Sequence, residues 1–223
     1  MTRRMIFPIL LGLAGVAVLV SLGIWQMQRL AWKEGLLAEI TATVGGDPVS
    51  MQKARAAGFP KYLPVQVAGR IVGPELHVLV STKTEGAGYR IISAIETDDG
   101  PRFLLDRGYV RLEAGDALRA PTQIVVTGNL HRPDDRNSST PENDVDKNIW
   151  FARDIAEMAE VLGTEPVLIV ARSDTGQGVR AMPLGIEGVT NDHLQYAITW
   201  FSLALVWLGM TVFLLWRIKR RTI

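Results

Sequence analysis

The sequence predicts an α+β membrane protein in which two transmembrane helices flank an extracytoplasmic, mainly antiparallel β domain, a small barrel or sandwich with two short helices. Three observations predict it. The 223-residue chain carries one uncharged run near each end, Met5–Met27 and Tyr196–Trp216, of 23 and 21 residues. At about 1.5 Å per residue the second run makes roughly 31 Å of helix, the thickness of a bilayer's hydrocarbon core. Between the runs lie short segments rich in Val, Ile and Leu, separated by Gly, Pro and Asp turn chemistry. Bases cluster at Arg217, Lys219, Arg220 and Arg221 directly after the second run, whereas the nearest base before it is Arg180.

That cluster orients the chain, because flanks rich in Lys and Arg stay on the cytoplasmic side. Residues 217–223 are expected to form a basic cytoplasmic tail, and residues 1–4, with Arg3 and Arg4, a cytoplasmic N-terminus. The count around the first span is weaker, since Arg29 and Lys33 match Arg3 and Arg4. In a bacterium this topology leaves everything between the spans in the periplasm and the spans in the inner (cytoplasmic) membrane.

Residues 5–27 form the first expected span. A charged start and an apolar run also suit a cleaved signal peptide, but this run exceeds an h-region of about 7–15 residues and no small-x-small site follows it. LGIWQMQRLAWKEGLLAEI continues in helical register, so residues 28–44 are expected to extend the helix. Residues 45–190 are enough for one domain with its own core. Strands are expected at LPVQVAGRIV, ELHVLVST, YRIISAIET, RFLLDRGYV, TQIVVTGNLH and PVLIVAR. Helices are expected at VSMQKARAAG, which follows Pro48, and at RDIAEMAEVLG, where Ile155, Met158, Ala159 and Leu162 share a face and Gly163 stops the turn. HRPDDRNSSTPENDVDKN reads as a long polar loop, and loops of that length often carry function. Residues 191–216 complete the chain's second span with its periplasmic start.

Composition narrows the chemistry. A net charge of +1 removes the general electrostatic case for nucleic-acid binding, and the absence of cysteine excludes disulfides, zinc ribbons, thiolate copper sites and CxxC redox chemistry. There is no GxSxG elbow, HExxH or Walker loop. His77 and His131 fall in apolar strand segments, and although a triad with Ser93 and Asp106 can be drawn, nothing in the sequence brings those groups together; no enzyme is expected. Asp144, Asp146 and Asn148 occupy positions one, three and five of an EF-hand, but Ile149 and Ile155 stand where Gly and Glu belong, so no metal site is expected there. The loop reads instead as partner-facing, through Asn143, Asp144, Asn148 and Trp150. Gly86–Gly88 is only a turn.

His193 stands three residues before the second run, with Tyr196, Ala197, Trp200 and Ala204 at helical spacing from it. Ala197 and Ala204 beside Trp200 would leave a groove for a flat apolar ligand, and a neutral imidazole can ligate haem iron. Equally, with Asn191 and Asp192 as helix starters, His193 suits an interfacial cap. Trp25, Arg29 and Trp32 follow the same logic at i, i+4 and i+7: an arginine among indoles suits haem propionates, and it also suits an aromatic belt. The residues alone leave both pairs of readings open.

LGIWQMQRLAWKEGLL, LLDRGYV, TPENDVDKNIWFARD and NDHLQYAITWF together resemble the Surfeit locus protein 1 family of cytochrome oxidase assembly factors, almost end to end. The WQxxRxxWK pattern and NDHLQYAITWF carry the specificity. Tyr109 stands where many members have tryptophan, and Val145 where proline is common. The resemblance implies a non-catalytic role in building haem–copper oxidase, with haem a held for insertion into the catalytic subunit and His193 as the histidine that contacts it. It also implies the catalytic subunit of cytochrome oxidase, haem a synthase and the lipid bilayer as partners. The alternatives are a cofactor-free membrane scaffold for oxidase assembly and a membrane-tethered periplasmic enzyme.

Overall fold

The structure, a computed structural model, describes residues 3–82, 85–115, 117, 119–185 and 191–220. Arg221 of the basic cluster, and residues 186–190, lie outside them. In chain order the elements are α1 (Arg3–Val44), β1 (Val49–Ser50), α2 (Met51–Ala56), β2 (Pro64–Thr82), β3 (Gly86–Thr97), β4 (Arg102–Arg111), a 3-10 turn at Leu112–Ala114, β5 (Thr122–His131), β6 (Ile149–Trp150), α3 (Ile155–Leu162), β7 (Glu165–Ala171) and α4 (His193–Arg220). They divide into two compact units, Met1–Glu39 with Ile186–Ile223, and Ile40–Gly185.

The first unit is a helix pair. Both α1, from Met5, and α4 are long and apolar enough to cross a membrane, with mean hydropathies of 2.5 and 2.0 in their most apolar stretches. They run antiparallel: Gly12 lies against Thr211, Gly15 against Trp207 and Gly23 against Phe201. A Cβ on Gly15 would fall 2.2 Å from Trp207 Nε1, so glycine makes room for the indole. Where lipid is as apolar as leucine, close packing of small residues is what holds helices together. On α4 the matching stripe includes Ala197 and Ala204, 1% and 6% exposed. The two alanines that the sequence offered as the floor of a groove beside Trp200 are thus buried. Ser21, Thr199 and Thr211 return their hydroxyl hydrogens to carbonyls four residues earlier, so none of the three leaves an unpaired donor on an apolar helix.

The second unit is a mixed sheet that closes on itself. β2, β3, β4, β7 and β5 pair in that order, and β5 pairs back to β2 over Pro64–Ile71, which makes a five-stranded barrel. Closure removes the free edges that a sandwich keeps. Most pairs are antiparallel, but β4 and β7 run parallel, as do the two-residue strands β1 and β6 against β2. The strands expected as LPVQVAGRIV and ELHVLVST are one 19-residue strand, β2, with a bulge between Val72 and Glu75 and Gly73 at φ +76. The Gly-Pro between them bends the strand instead of ending it.

The bulge inserts two residues, 73 and 74, and so keeps the alternation of side chains; what changes along β2 is which face is covered. Before it Val65, Val67 and Ile71 enter one core, with Phe103, Leu105, Val126 and Ile169, capped by Ala54 of α2. After it Leu76 and Val78 enter a second core, with Leu104, Leu168 and Val170, covered by Met158, Ala159 and Leu162 of α3 and by Trp150. Neighbours such as Leu104 and Leu105 point to opposite faces of β4, so the two cores lie on opposite sides of one sheet. α3 buries the face expected of it and ends at Gly163, whose φ of 62 supplies the left-handed cap.

Candidate functional site

His193 is the first residue of α4, and its ring does not cap its own helix. Nδ1 lies 2.7 Å from Oε1 of Gln26 on α1. A carbonyl oxygen only accepts, so in this contact Nδ1 is the donor, and in the tautomer with its one hydrogen on Nδ1 the lone pair is on Nε2. The backbone at the helix start is served separately, Tyr196 N donating to Asp192 O at 3.1 Å.

The surroundings of this imidazole follow from helix geometry. Counted at about 100° per residue from Gln26, Trp25, Arg29 and Trp32 fall on one flank of α1. Counted from His193, Tyr196 turns the same way on α4, and in an antiparallel pair that brings both flanks to the same side of the helix pair. Trp25, Trp32 and Tyr196 are 54%, 54% and 55% exposed there, while Trp200 is half-buried nearer the seam. The Arg29 guanidinium lies 4.0 Å over the Trp32 ring, a cation–π contact that holds the charge against an apolar face. Arg29 thus pairs with one indole, where the sequence spacing suggested two. An oriented ring nitrogen, a flat aromatic surface and a cation for carboxylates are the donor set a haem needs. These residues fit the group.

The polar loop behaves differently from its expected role. Asp144 and Ile149 exchange backbone hydrogen bonds at 2.9 Å and close a tight hairpin. Asn143 Oδ1 accepts from the N–H groups of Phe151 and Ala152, and its amide donates to Glu157 at 2.8 Å. Asn148, at φ 54, accepts from His77 N and from Trp150 Nε1, and donates to Glu75 O. Trp150 is fully buried in the second core. Asn143, Asn148 and Trp150 are therefore corrected from partner-facing to structural: two amides tie the hairpin down and the indole anchors it. Asp144, paired to Lys147 at 2.8 Å, stays at the surface with Asp146.

A profile of the SURF1 family matches residues 13–205, which takes in both the Trp25–Lys33 pattern and His193. The chain belongs to the SURF1 family. Surfeit locus protein 1 of Xenopus tropicalis is 30% identical over 209 residues, covering 82% of this chain and 67% of that protein. The Homo sapiens protein of the same name is 30% identical over 210 residues, covering 82% and 69%. A SURF1-like protein of Rickettsia conorii is 28% identical over 200 residues, covering 84% and 82%.

The β domain of this SURF1-family chain also holds a buried ionic network that sequence reasoning missed. Asp106, fully buried, accepts from Arg90 at 2.8 Å and from Arg153 at 3.2 Å, and Arg153 reaches on to Asp135 at 2.7 Å. The adjacent Arg107, also fully buried, pairs with Glu75, which takes Arg119 at 2.8 Å on its other oxygen. The signal was present: Asp-Arg in the middle of RFLLDRGYV places two charges in an otherwise apolar strand, and buried charges must be paired. Ser93 Oγ donates to Glu75 and Asp106 is held by arginines, so the serine and the aspartate of the drawn triad have other hydrogen-bond partners. His77 stacks on Tyr89 at 5.2 Å. Burial first, then Arg153 and Lys61, push His131 down to about 4, so it stays neutral at pH 7. Asp135 lies below the usual carboxylate range although burial opposes it, because the hydrogen bonds and charge of Arg153 outweigh burial.

Proposed function

We propose that this SURF1-family chain is an assembly factor for haem–copper oxidase, which holds haem a at the head of its helix pair and assists its insertion into the catalytic subunit. The observation that carries this reading is the 2.7 Å contact from His193 Nδ1 to Gln26, which leaves Nε2 as a ligand atom on the seam of an exposed aromatic face. His193 would hold the iron, Trp25, Trp32, Tyr196 and Trp200 would cover the macrocycle, and Arg29 would meet the propionates. When bound, haem a supplies an iron centre whose redox chemistry belongs to the finished oxidase. The protein residues bind, orient and shield it, and no catalysis by this chain is part of the reading.

The partners in this reading are haem a synthase as the source, the catalytic subunit of cytochrome oxidase as the destination, and the lipid bilayer around the exposed Leu205, Met210 and Phe213 of α4. The membrane is a bacterial inner membrane with both termini cytoplasmic, supported by Arg217, Lys219 and Arg220 in the last turn of α4. Asp144 and Asp146 are the loop residues still available for docking.

One optical spectrum tests the function. Protein purified from cells that make haem a should show a Soret band, and His193→Ala should insert normally and lose that band or shift it. A wild-type protein without haem would leave the cofactor-free scaffold in its place. A His193→Ala protein with haem and an unchanged spectrum would remove His193 as the ligand.

A further inference from the structure

We infer that Gln26 is the positioning residue for His193: its amide oxygen, presented from the opposite helix, fixes the imidazole in the tautomer that directs Nε2 outward as a metal ligand. The inference rests on the reading that His193 meets haem iron, but it makes a statement about the protein before any haem is present.

A neutral imidazole has one ring hydrogen. With Oε1 of Gln26 facing Nδ1 at 2.7 Å, that hydrogen belongs on Nδ1 and the lone pair on Nε2. The opposite arrangement, with the Gln26 amide turned through 180° and donating to Nδ1, would leave the hydrogen on Nε2 and no lone pair there for iron. Which atom of Gln26 faces His193 therefore decides whether the ring can bind metal at its outer nitrogen. The same contact limits rotation of the ring about its Cβ–Cγ bond, because it joins α4 to α1. Histidines that ligate metals characteristically donate their second nitrogen to a carbonyl or carboxylate, and loss of that partner costs about 10–100-fold in metal affinity. Gln26 holds this place from the neighbouring helix, one turn along α1 from Gly23, where the absence of a side chain accommodates Phe201 and lets the helices meet. It sits beside Trp25 and three residues before Arg29, so one turn of α1 carries the orienting amide together with the residues assigned to the porphyrin and its propionates.

The experiment uses the full chain in lipid nanodiscs, labelled with 15N in its three histidines, without haem and then titrated with ferric protohaem, whose iron and propionates haem a shares. His193→Ala identifies the His193 signals. In the neutral ring of the wild type, hydrogen should be on Nδ1 and not on Nε2. Gln26→Leu, which removes the acceptor at similar volume, should give a mixture of tautomers and weaken protohaem binding about 10–100-fold. Gln26→Glu keeps an acceptor oxygen and should restore both the tautomer and the affinity, which a merely structural role for Gln26 would not require. A wild-type His193 with its hydrogen on Nε2, or a Gln26→Leu protein with unchanged tautomer and affinity, would overturn the inference. If His193→Ala binds protohaem as well as the wild type, the haem reading fails while the tautomer result still judges Gln26 by itself.

Discussion

At the residue scale, two side chains of the β domain make measurable statements. Asn148 holds a left-handed backbone at φ 54 and three hydrogen bonds, one of them from the Nε1 of fully buried Trp150. Asn148→Ala should destabilise the domain by about 2–4 kcal/mol, from an indole N–H left without its acceptor and an alanine forced to positive φ. Asn148→Gly should recover about 1 kcal/mol of that, since glycine removes the backbone strain and leaves the lost hydrogen bonds; thermal unfolding of the two variants measures the difference. His131 is half-buried, with Nδ1 lacking a hydrogen-bond partner among the described residues. Its pKa, lowered from 6.5 to about 4 by burial and then by Arg153 and Lys61, means that the unfolded chain binds a proton between those values and the folded chain does not. Stability is therefore undiminished above pH 6.5 and falls as pH drops towards 4. With solvent screening allowed for, the loss should be about 1–2 kcal/mol, and His131→Phe should flatten that part of the stability–pH curve.

At the element scale, the decisive contact surface is the seam between α1 and α4. Glycines on α1 receive Thr211, Trp207 and Phe201 from α4. A Cβ built at Gly12 falls 3.1 Å from Thr211 Cβ, close to the separation of about 3.5–4.5 Å that a disulfide spans. The chain has no cysteine of its own, so Gly12→Cys with Thr211→Cys should cross-link under mild oxidation without competing thiols. Adding Gly15→Ile should abolish most of the cross-link, because the new side chain would occupy the volume of the Trp207 indole; a gel mobility shift reads both results. Ala197 and Ala204 are buried in the same unit. Small residues on a helix signal space to be filled, and whether a ligand or a neighbouring helix fills it depends on what packs there. The polar loop gave a similar lesson, since asparagines that suit turns and acceptors were used to fasten the hairpin around Trp150.

At the scale of the whole molecule, the placement of charge predicts topology. Arg217, Lys219 and Arg220 close α4, so an alkaline phosphatase fusion at Gly115 should be active and one after Ile223 inactive; the reverse pattern would overturn the proposed compartment of the β domain. The sequence by itself determined the two long apolar helices, the four principal barrel segments after β2, the two short helices and the family. Each of these is recorded locally, as an uncharged run, a periodicity, a cap such as Gly163 or a contiguous motif such as NDHLQYAITWF. The tertiary structure alone decided that β5 returns to β2 and closes a barrel, that β2 runs on through the Gly73 bulge as one strand serving two cores, and that Asp106 and Arg107 are paired in the interior. It alone set Gln26 against His193, 167 positions away. The physical reason is common to all of these. Periodicity and turn chemistry act over a few residues and leave their trace in the order of the chain, whereas a hydrogen bond or ion pair between distant segments is a property of two positions jointly, and one sequence records each position without its partner.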